Sequence, residues 1–287
     1  MVKKIFPVMM FMCICSCNQL DLKGLIMPTG AGVEKRFEQS AQMCEDMKAG
    51  SVATEAAYSF YVATDPHINE TYKNLGIFND ALRNDAEAAF GVVLGDCIDV
   101  RDNLPKYLEA LSYRSDAHSF NPEIFHVLGN HDLYFNGWEN FKKVIGPSVF
   151  WFEAKFAEGK DLYISLDSAT GTLGSKQTKW FRSFLSENRA KYRHCVILTH
   201  TNFFYTDNSQ TGSGNMPFEE SLALIDFLGK QNVSLALQGH DHSREDLMYD
   251  NVRYVILGAI HDKADAPEYL KIDVNNEGLT LNYKMIP

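Results

Sequence analysis

Aspartate, histidine and asparagine gather at five places in this chain, each just after a short apolar run. In order they are Asp65-Pro66-His67, Gly95-Asp96-Cys97-Ile98-Asp99, Gly129-Asn130-His131-Asp132, His200 and Gly239-His240-Asp241-His242. Carboxylate, imidazole and amide oxygen in one set suit first-row ions such as Mn, Fe or Zn. The lack of thiolates among them argues against a structural zinc site. A single residue separates His240 from His242, so a turn at a strand end can present both rings on one side.

The runs leading into the motifs are YSFYVAT, FGVVL, IFHVL, CVILT and LALQ. They are β-branched, aromatic and short, as buried strands are. In open α/β sheets, ligands collect in the crevice beyond the carboxyl ends of the strands, so five such ends describe one place. Helical periodicity falls near residues 71–89, 102–113, 136–145, 176–190 and 218–230. Further strands are expected at 149–157 and 161–167, joined by a Glu158-Gly159-Lys160 turn. After the last motif the pattern is almost all strand, over 244–250, 252–258, 268–274 and 279–285. Hairpin turns are expected at Asp250-Asn251 and at Asn275-Asn276-Glu277-Gly278. Val33 to Lys48 reads as an amphipathic helix, and Asp207 to Pro217 as a Gly/Ser-rich loop suited to a specificity lid. Alternating βα units with a β-rich tail predict an α/β fold of two packed sheets with helices outside.

In their order, the five motifs resemble the signature of the calcineurin-like metallophosphoesterase superfamily: D-x-H, GD-x-x-D, GNH[D/E], a lone His and G-H-x-H. The resemblance implies a four-layer α/β/β/α sandwich of two mixed sheets. It also implies two transition-metal ions bridged by Asp96, with Asp65, His67 and His242 completing the first and Asn130, His200 and His240 the second. With two divalent ions, two carboxylates and one hydroxide, such a site carries about +1 and attracts phosphate oxygens. The implied activity is in-line attack of a bridging hydroxide on small organic phosphates or nucleotides. In that scheme His131 protonates the leaving group and Asp99 orients His131 and keeps it protonated. Asp132 and Asp241 are expected in supporting or turn positions.

Some positions depart from subgroups of the superfamily. Val100 and Leu128 stand where its protein phosphatases carry Arg, and Asp99 stands where purple acid phosphatases place a ligating Tyr. Thr201-Asn202-Phe203-Phe204 replaces the Pro that many small-molecule members place after the fourth-motif His. The aromatics Phe203, Phe204, Tyr205 and Trp138 read equally as pocket wall or as packing. Arg244 reads equally as a phosphate contact or as surface, and His118, His126, His194 and His261 as core or surface. Two alternatives accompany the main expectation. One is a phospholipid or cell-envelope phosphodiesterase; the other is a non-catalytic surface lipoprotein that reuses the fold.

At 287 residues, 45% hydrophobic and 22% charged, the chain is long enough for a sizeable core. Because the motifs draw on both ends of residues 55–287, a single metallophosphoesterase domain is expected there. Residues 1–16 read as a signal peptide, with Lys3 and Lys4 before an apolar stretch too short to span a bilayer. Ile14-Cys15-Ser16-Cys17 resembles a bacterial lipoprotein box, which would put lipid on Cys17 and hold an exported protein at a membrane surface of the cell envelope. The alternative is a plain signal peptide and a soluble product. Residues 17–54 are expected as a tether and an amphipathic N-terminal segment. Residues 1–16 carry two lysines and no acids, so their removal takes the net charge from −10 to −12. That balance argues against binding double-stranded nucleic acid, where Lys and Arg must neutralise phosphates. Cys44, Cys97 and Cys195 are odd in number and scattered, which predicts no disulfide framework.

Overall fold

The computed structural model describes residues 30–112, 122–204 and 216–287. The expected leader, Cys17, His118, Tyr205 and most of the 207–217 loop lie outside the described residues.

The expected strands pair into two mixed sheets. Strands β2 (Tyr58–Ala63), β3 (Ala88–Val93) and β4 (Glu123–His126) run parallel and are extended by antiparallel β11 (Glu268–Val274) and β12 (Leu279–Met285). The seven-stranded sheet has the order β1-β5-β6-β7-β8-β10-β9. Its strands are β1 (Lys48–Ala53), β5 (Phe150–Phe156), β6 (Gly159–Ser165), β7 (Cys195–Leu198), β8 (Leu235–Gln238), β9 (Glu245–Tyr249) and β10 (Val252–Ile256).

Side-chain alternation explains why the central strands read as continuous apolar runs. Successive residues point to opposite faces, and both faces are covered. In β2, Tyr58, Phe60 and Val62 enter the core between the sheets, whereas Tyr61 and Ala63 enter the core under the helices. That outer core is closed by α2 (Lys73–Asn84) and α3 (Leu104–Ser112). In the other sheet, Val196 and Leu198 face inward while Cys195 and Ile197 meet the helices. Those helices are α5 (Gly174–Asn188), which contributes Phe181 and Leu185, and α6 (Phe218–Lys230), which contributes Leu224, Ile225 and Leu228. Three cores thus separate four layers, helices–sheet–sheet–helices. At the centre the Phe90 ring lies 5.0 Å from Phe60, 5.2 Å from Phe152 and 5.0 Å from Tyr163.

Two elements differ from the sequence expectation. The N-terminal helix α1 (Val33–Met43) stops early, and Lys48–Ala53 forms β1, a parallel edge strand on β5. KAGSVA has no apolar alternation, and what holds it is the edge of a sheet built from distant residues. The β5–β6 turn is tighter than expected, with Phe156 opposite Gly159 and only Ala157-Glu158 between them. The Asp250-Asn251 hairpin is as expected, with both residues left-handed at φ 47° and 63°. The short helix α4 (Gly137–Val144) packs Trp138 and Phe141 beneath the motif loops.

Glu153 on β5 is 2% exposed and takes Lys48 at 2.8 Å, Lys160 at 2.6 Å and the Tyr192 hydroxyl at 3.0 Å. Burial alone would raise its carboxyl, but Lys160, Lys48 and Tyr192 hold it down to about 2 against an ordinary 4.5. A depressed carboxylate stabilises the fold above its unfolded pKa and loses that contribution as pH falls through the folded value. Glu153→Gln is therefore expected to cost about 2 kcal/mol at pH 7 and to flatten the stability curve between about pH 4.5 and 2. Urea denaturation at several pH values measures this; parallel curves for both proteins would refute it.

Candidate metal centre

All five motifs lie beyond the carboxyl ends of parallel strands, at one end of the two-sheet core. Backbone hydrogen bonds continue the sheets into these loops, including Asp65 N–H to Gly95 O at 3.1 Å and Gly239 N–H to His200 O at 2.9 Å. The loops are so close that two motif glycines admit no side chain. A Cβ on Gly129 would lie 2.1 Å from Asp96 N, and one on Gly239 would lie 2.0 Å from Thr64 Oγ1. Asp65, His67, Asp96, His240 and His242 all adopt positive φ, between 43° and 72°. Such backbone is costly for non-glycine residues and gathers at functional sites.

The donor atoms form two groups. In the first, His67 Nε2 and His242 Nε2 are 3.1 Å apart, and Asp65 Oδ1 lies 3.4 Å from His242 Nε2 and 3.7 Å from His67 Nε2. In the second, His200 Nε2 lies 3.0 Å from Asn130 Oδ1, 3.2 Å from His240 Nδ1 and 3.3 Å from Asp96 Oδ2. The same Asp96 Oδ2 is 3.7 Å from His67 Nε2, so it faces both groups. Donors about 2.1 Å from a common ion are themselves about 3.0–3.5 Å apart, which is the spacing seen here.

Neighbouring groups fix the aim of these atoms. Asp65 Oδ2 accepts from Thr64 Oγ1 at 2.6 Å and His240 N at 2.9 Å, leaving Oδ1 buried without a hydrogen-bond donor among the described residues. His200 Nδ1 donates to Leu94 O at 2.8 Å, which turns Nε2 toward the site. The His200 and Thr201 amides donate to Ser168 Oγ at 3.1 and 2.9 Å. Asp96 Oδ1 accepts from His131 N at 2.8 Å, and Asp132 Oδ2 accepts from Gly129 N at 2.9 Å.

The electrostatics call for a cation. Burial alone would raise Asp65 and Asp96, but the surrounding imidazoles hold both carboxyls below their ordinary value. Burial alone would lower His67 and His200, but the same carboxylates push His67 up and raise His200 to about 9. His240 goes the other way, down to about 3, through burial and its neighbour His200. Two buried carboxylates thus draw protons onto His67 and His200, and a divalent ion that displaced those protons would supply the same positive charge to the set.

The family model for calcineurin-like phosphoesterases matches residues 58–244, well over half of the chain. The chain belongs to that family. It is therefore a metal-dependent phosphoester hydrolase, and its site takes divalent metal ions. Solved structures share the fold at low identity. A dimetal phosphatase from Danio rerio is 13% identical with a TM-score of 0.59, over 79% of this chain and 96% of that one. GAP50 of Plasmodium, described as the anchor in the inner membrane complex, is 13% identical with a TM-score of 0.61, over 80% and 85%. A purple acid phosphatase from yellow lupin is 14% identical with a TM-score of 0.60, over 81% of this chain but 52% of its own. No curated protein sequence matches the chain.

Within this phosphoesterase one expected pairing changes. Asp99 Oδ1 sits 3.1 Å from His67 Nδ1 and 3.9 Å from His131 Nδ1, so the hydrogen bond expected for His131 goes to His67. The cause is local: Ile68 and Ile98 form a parallel bridge, and Asp99 N–H reaches Ile68 O, which lays Asp99 alongside His67. His131 stands at the open side, 22% exposed, with Nε2 3.9 Å from Asp96 Oδ2 and its ring 4.5 Å from that of His67. The described aromatics, Trp138, Phe203 and Phe204, resolve as packing. Trp138 is fully buried with Nε1 donating to Gln39, Phe203 is in the core, and Phe204 packs on Tyr254. His194 bonds Asn275 O, and His126 is half-buried beside Tyr107. The sequence reading missed His261, whose ring lies 5.8 Å from His67 and 5.5 Å from His242. Only its place after an apolar run, like the five motifs, could have signalled it.

Proposed function

We infer that the chain is a dinuclear phosphohydrolase acting on small organic phosphates or nucleotides. The observation that carries this reading is Asp96 Oδ2, within 3.3 Å of His200 Nε2 on one side and 3.7 Å of His67 Nε2 on the other. Asp65, His67 and His242 would hold one ion and Asn130, His200 and His240 the other, with Asp96 placed to serve both. When bound, a pair of Mn, Fe or Zn ions would supply Lewis acidity for the phosphoryl oxygens and for a nucleophilic water. The residues of the chain do the rest. Asp65 and Asp96 keep the pair anchored, and Asp99 holds the His67 ring in place. His131, beside the ions and open to solvent, donates its proton to the departing oxygen. Asp99, 3.9 Å from His131 Nδ1, favours the charged imidazole without a hydrogen bond to it.

The lipid or envelope diesterase alternative drew on the expected tether and on the aromatics after His200, and Phe203 is core. The non-catalytic alternative predicts a lost ligand, and all seven expected ligands are present. The expected export and lipid attachment at Cys17 stay part of the proposal. Among the described residues no helix is long and apolar enough to cross a membrane.

The test uses protein beginning after Cys17, stripped of metal and reloaded with Mn²⁺. It is expected to bind about two ions per chain and to cleave p-nitrophenyl phosphate or its bis-ester only when loaded. Binding of a single ion would remove the dinuclear reading, and loaded protein inert on all esters would remove the hydrolase. His131→Ala is expected to lower kcat about 100-fold or more on alkyl phosphates, and far less on p-nitrophenyl phosphate, with metal content intact. Equal losses on both would refute the acid role.

A further inference from the structure

Next to the first donor group lies a cavity of about 280 Å³, lined by His242, Ser243, Arg244, His261, Lys263 and Glu268. It adjoins the metal centre, because His242 belongs to both and the His261 ring packs against His67 and His242. Its volume is at the lower end for small-molecule sites, so it admits a group of sugar or phosphate size, not a peptide segment.

Apart from Glu268 and the exposed Asp265, the polar groups of this cavity can donate. Arg244 is gripped on two sides: Nη1 donates to Glu268 Oε2 at 2.9 Å, and its guanidinium lies 4.6 Å over the Tyr283 ring. Glu268 is itself buried and accepts Gly258 N at 3.0 Å, so both of its oxygens are spent. The Arg244 side chain is nonetheless 45% exposed, which leaves other N–H groups of a fixed fork available. His261 Nδ1 accepts from Lys263 N at 3.2 Å, which puts the ring proton on Nε2 and makes that atom a donor. Ser243 Oγ is buried with no hydrogen-bond partner among the described residues. Lys263 adds an ammonium at the rim. Formal charges among Arg244, Lys263, Glu268 and Asp265 balance, so recognition rests on directed donors and not on net field. An acceptor-only group satisfies such a set, and a carboxylate or phosphate is that group.

We propose that this cavity is the leaving-group subsite of the phosphohydrolase, and that its substrates carry a second anionic group beyond the scissile phosphate. The inference rests on the hydrolase reading. Arg244 and His261 act here as specificity residues, reading the far end of the substrate while the metal centre takes the phosphoryl group.

The experiment compares three esters on the Mn²⁺-loaded protein: 4-acetylphenyl phosphate, 4-carboxyphenyl phosphate and 1,4-phenylene bisphosphate. A charge-assisted hydrogen bond corresponds to about tenfold or more, so wild-type kcat/KM is expected to favour the doubly anionic esters by about tenfold, mainly through KM. Whichever of the two is preferred identifies the group as carboxylate or phosphate. Arg244→Gln is expected to bring the ratio to about twofold, and Arg244→Lys to leave it between. Titration calorimetry with uncleavable 4-carboxyphenylphosphonate and phenylphosphonate should give the same ratio in Kd. A wild-type ratio near one in both measurements would overturn the subsite and leave the hydrolase standing. No turnover of any ester would overturn the hydrolase reading and this inference with it.

Discussion

Asp96→Asn is expected to lower kcat/KM by at least about a thousandfold, equivalent to about 4 kcal/mol of transition-state stabilisation. The exchange keeps the shape and an oxygen for His131 N, which Asp96 Oδ1 accepts at 2.8 Å. It removes the negative charge that faces His67 and His200 at once. Neither donor group keeps its full charge, and the atom common to both becomes a neutral donor or acceptor. Metal content, measured by elemental mass spectrometry, is expected to fall from about two ions per chain to one or fewer. A variant that retained both ions and activity within tenfold would show that Asp96 is not shared between them.

Arg36→Met is expected to cost about 3–5 kcal/mol and to lower Tm by about 10 °C. Arg36 and Asp167 are both fully buried and form a two-point pair, Nε to Oδ2 at 2.7 Å and Nη2 to Oδ1 at 2.9 Å. The guanidinium also donates to Ala31 O at 2.6 Å and Thr170 Oγ1 at 3.3 Å. Removing the arginine leaves a buried carboxylate without its charge partner, and that is the costly state. Arg36→Met with Asp167→Leu removes both charges and is expected to regain most of the loss. Thermal unfolding of the three proteins decides it; a loss under 1 kcal/mol in the single variant would refute it. The pair also reaches the metal centre, since Asp167 precedes Ser168, whose hydroxyl accepts the His200 and Thr201 amides. A weakened segment there is expected to loosen His200 as well as the fold.

Much of this molecule is written locally. Five apolar runs followed by Asp, His or Asn identified the strands, their buried ends and the donor atoms. Each strand is specified by its own residues, and a parallel sheet brings equivalent ends together. The short apolar runs of β2 and β7 also read as buried strands, and both faces of each are covered. The resemblance supplied the division into two donor groups; in the structure Asp96 Oδ2 lies 3.3 Å from His200 Nε2 and 3.7 Å from His67 Nε2. Helix limits moved by a few residues, as for α2, which spans Lys73–Asn84 inside the periodic stretch 71–89.

What the sequence alone determined was the family, the layered α/β architecture and the chemical groups that the strand ends bring together. Only the tertiary structure decided how those groups divide their partners. Asp99 went to His67 because a two-residue bridge between separate loops set its height. β1 exists because β5 offered an edge, not because KAGSVA favours a strand. Trp138 and Phe203 fell into cores, and His261 and Arg244 came to the mouth of the site, through contacts that leave no periodic mark in the chain. Arg36 meets Asp167 across 131 positions. Spacing records the short-range geometry of helix, strand and turn, whereas the pairing of distant side chains is settled only when the layers pack.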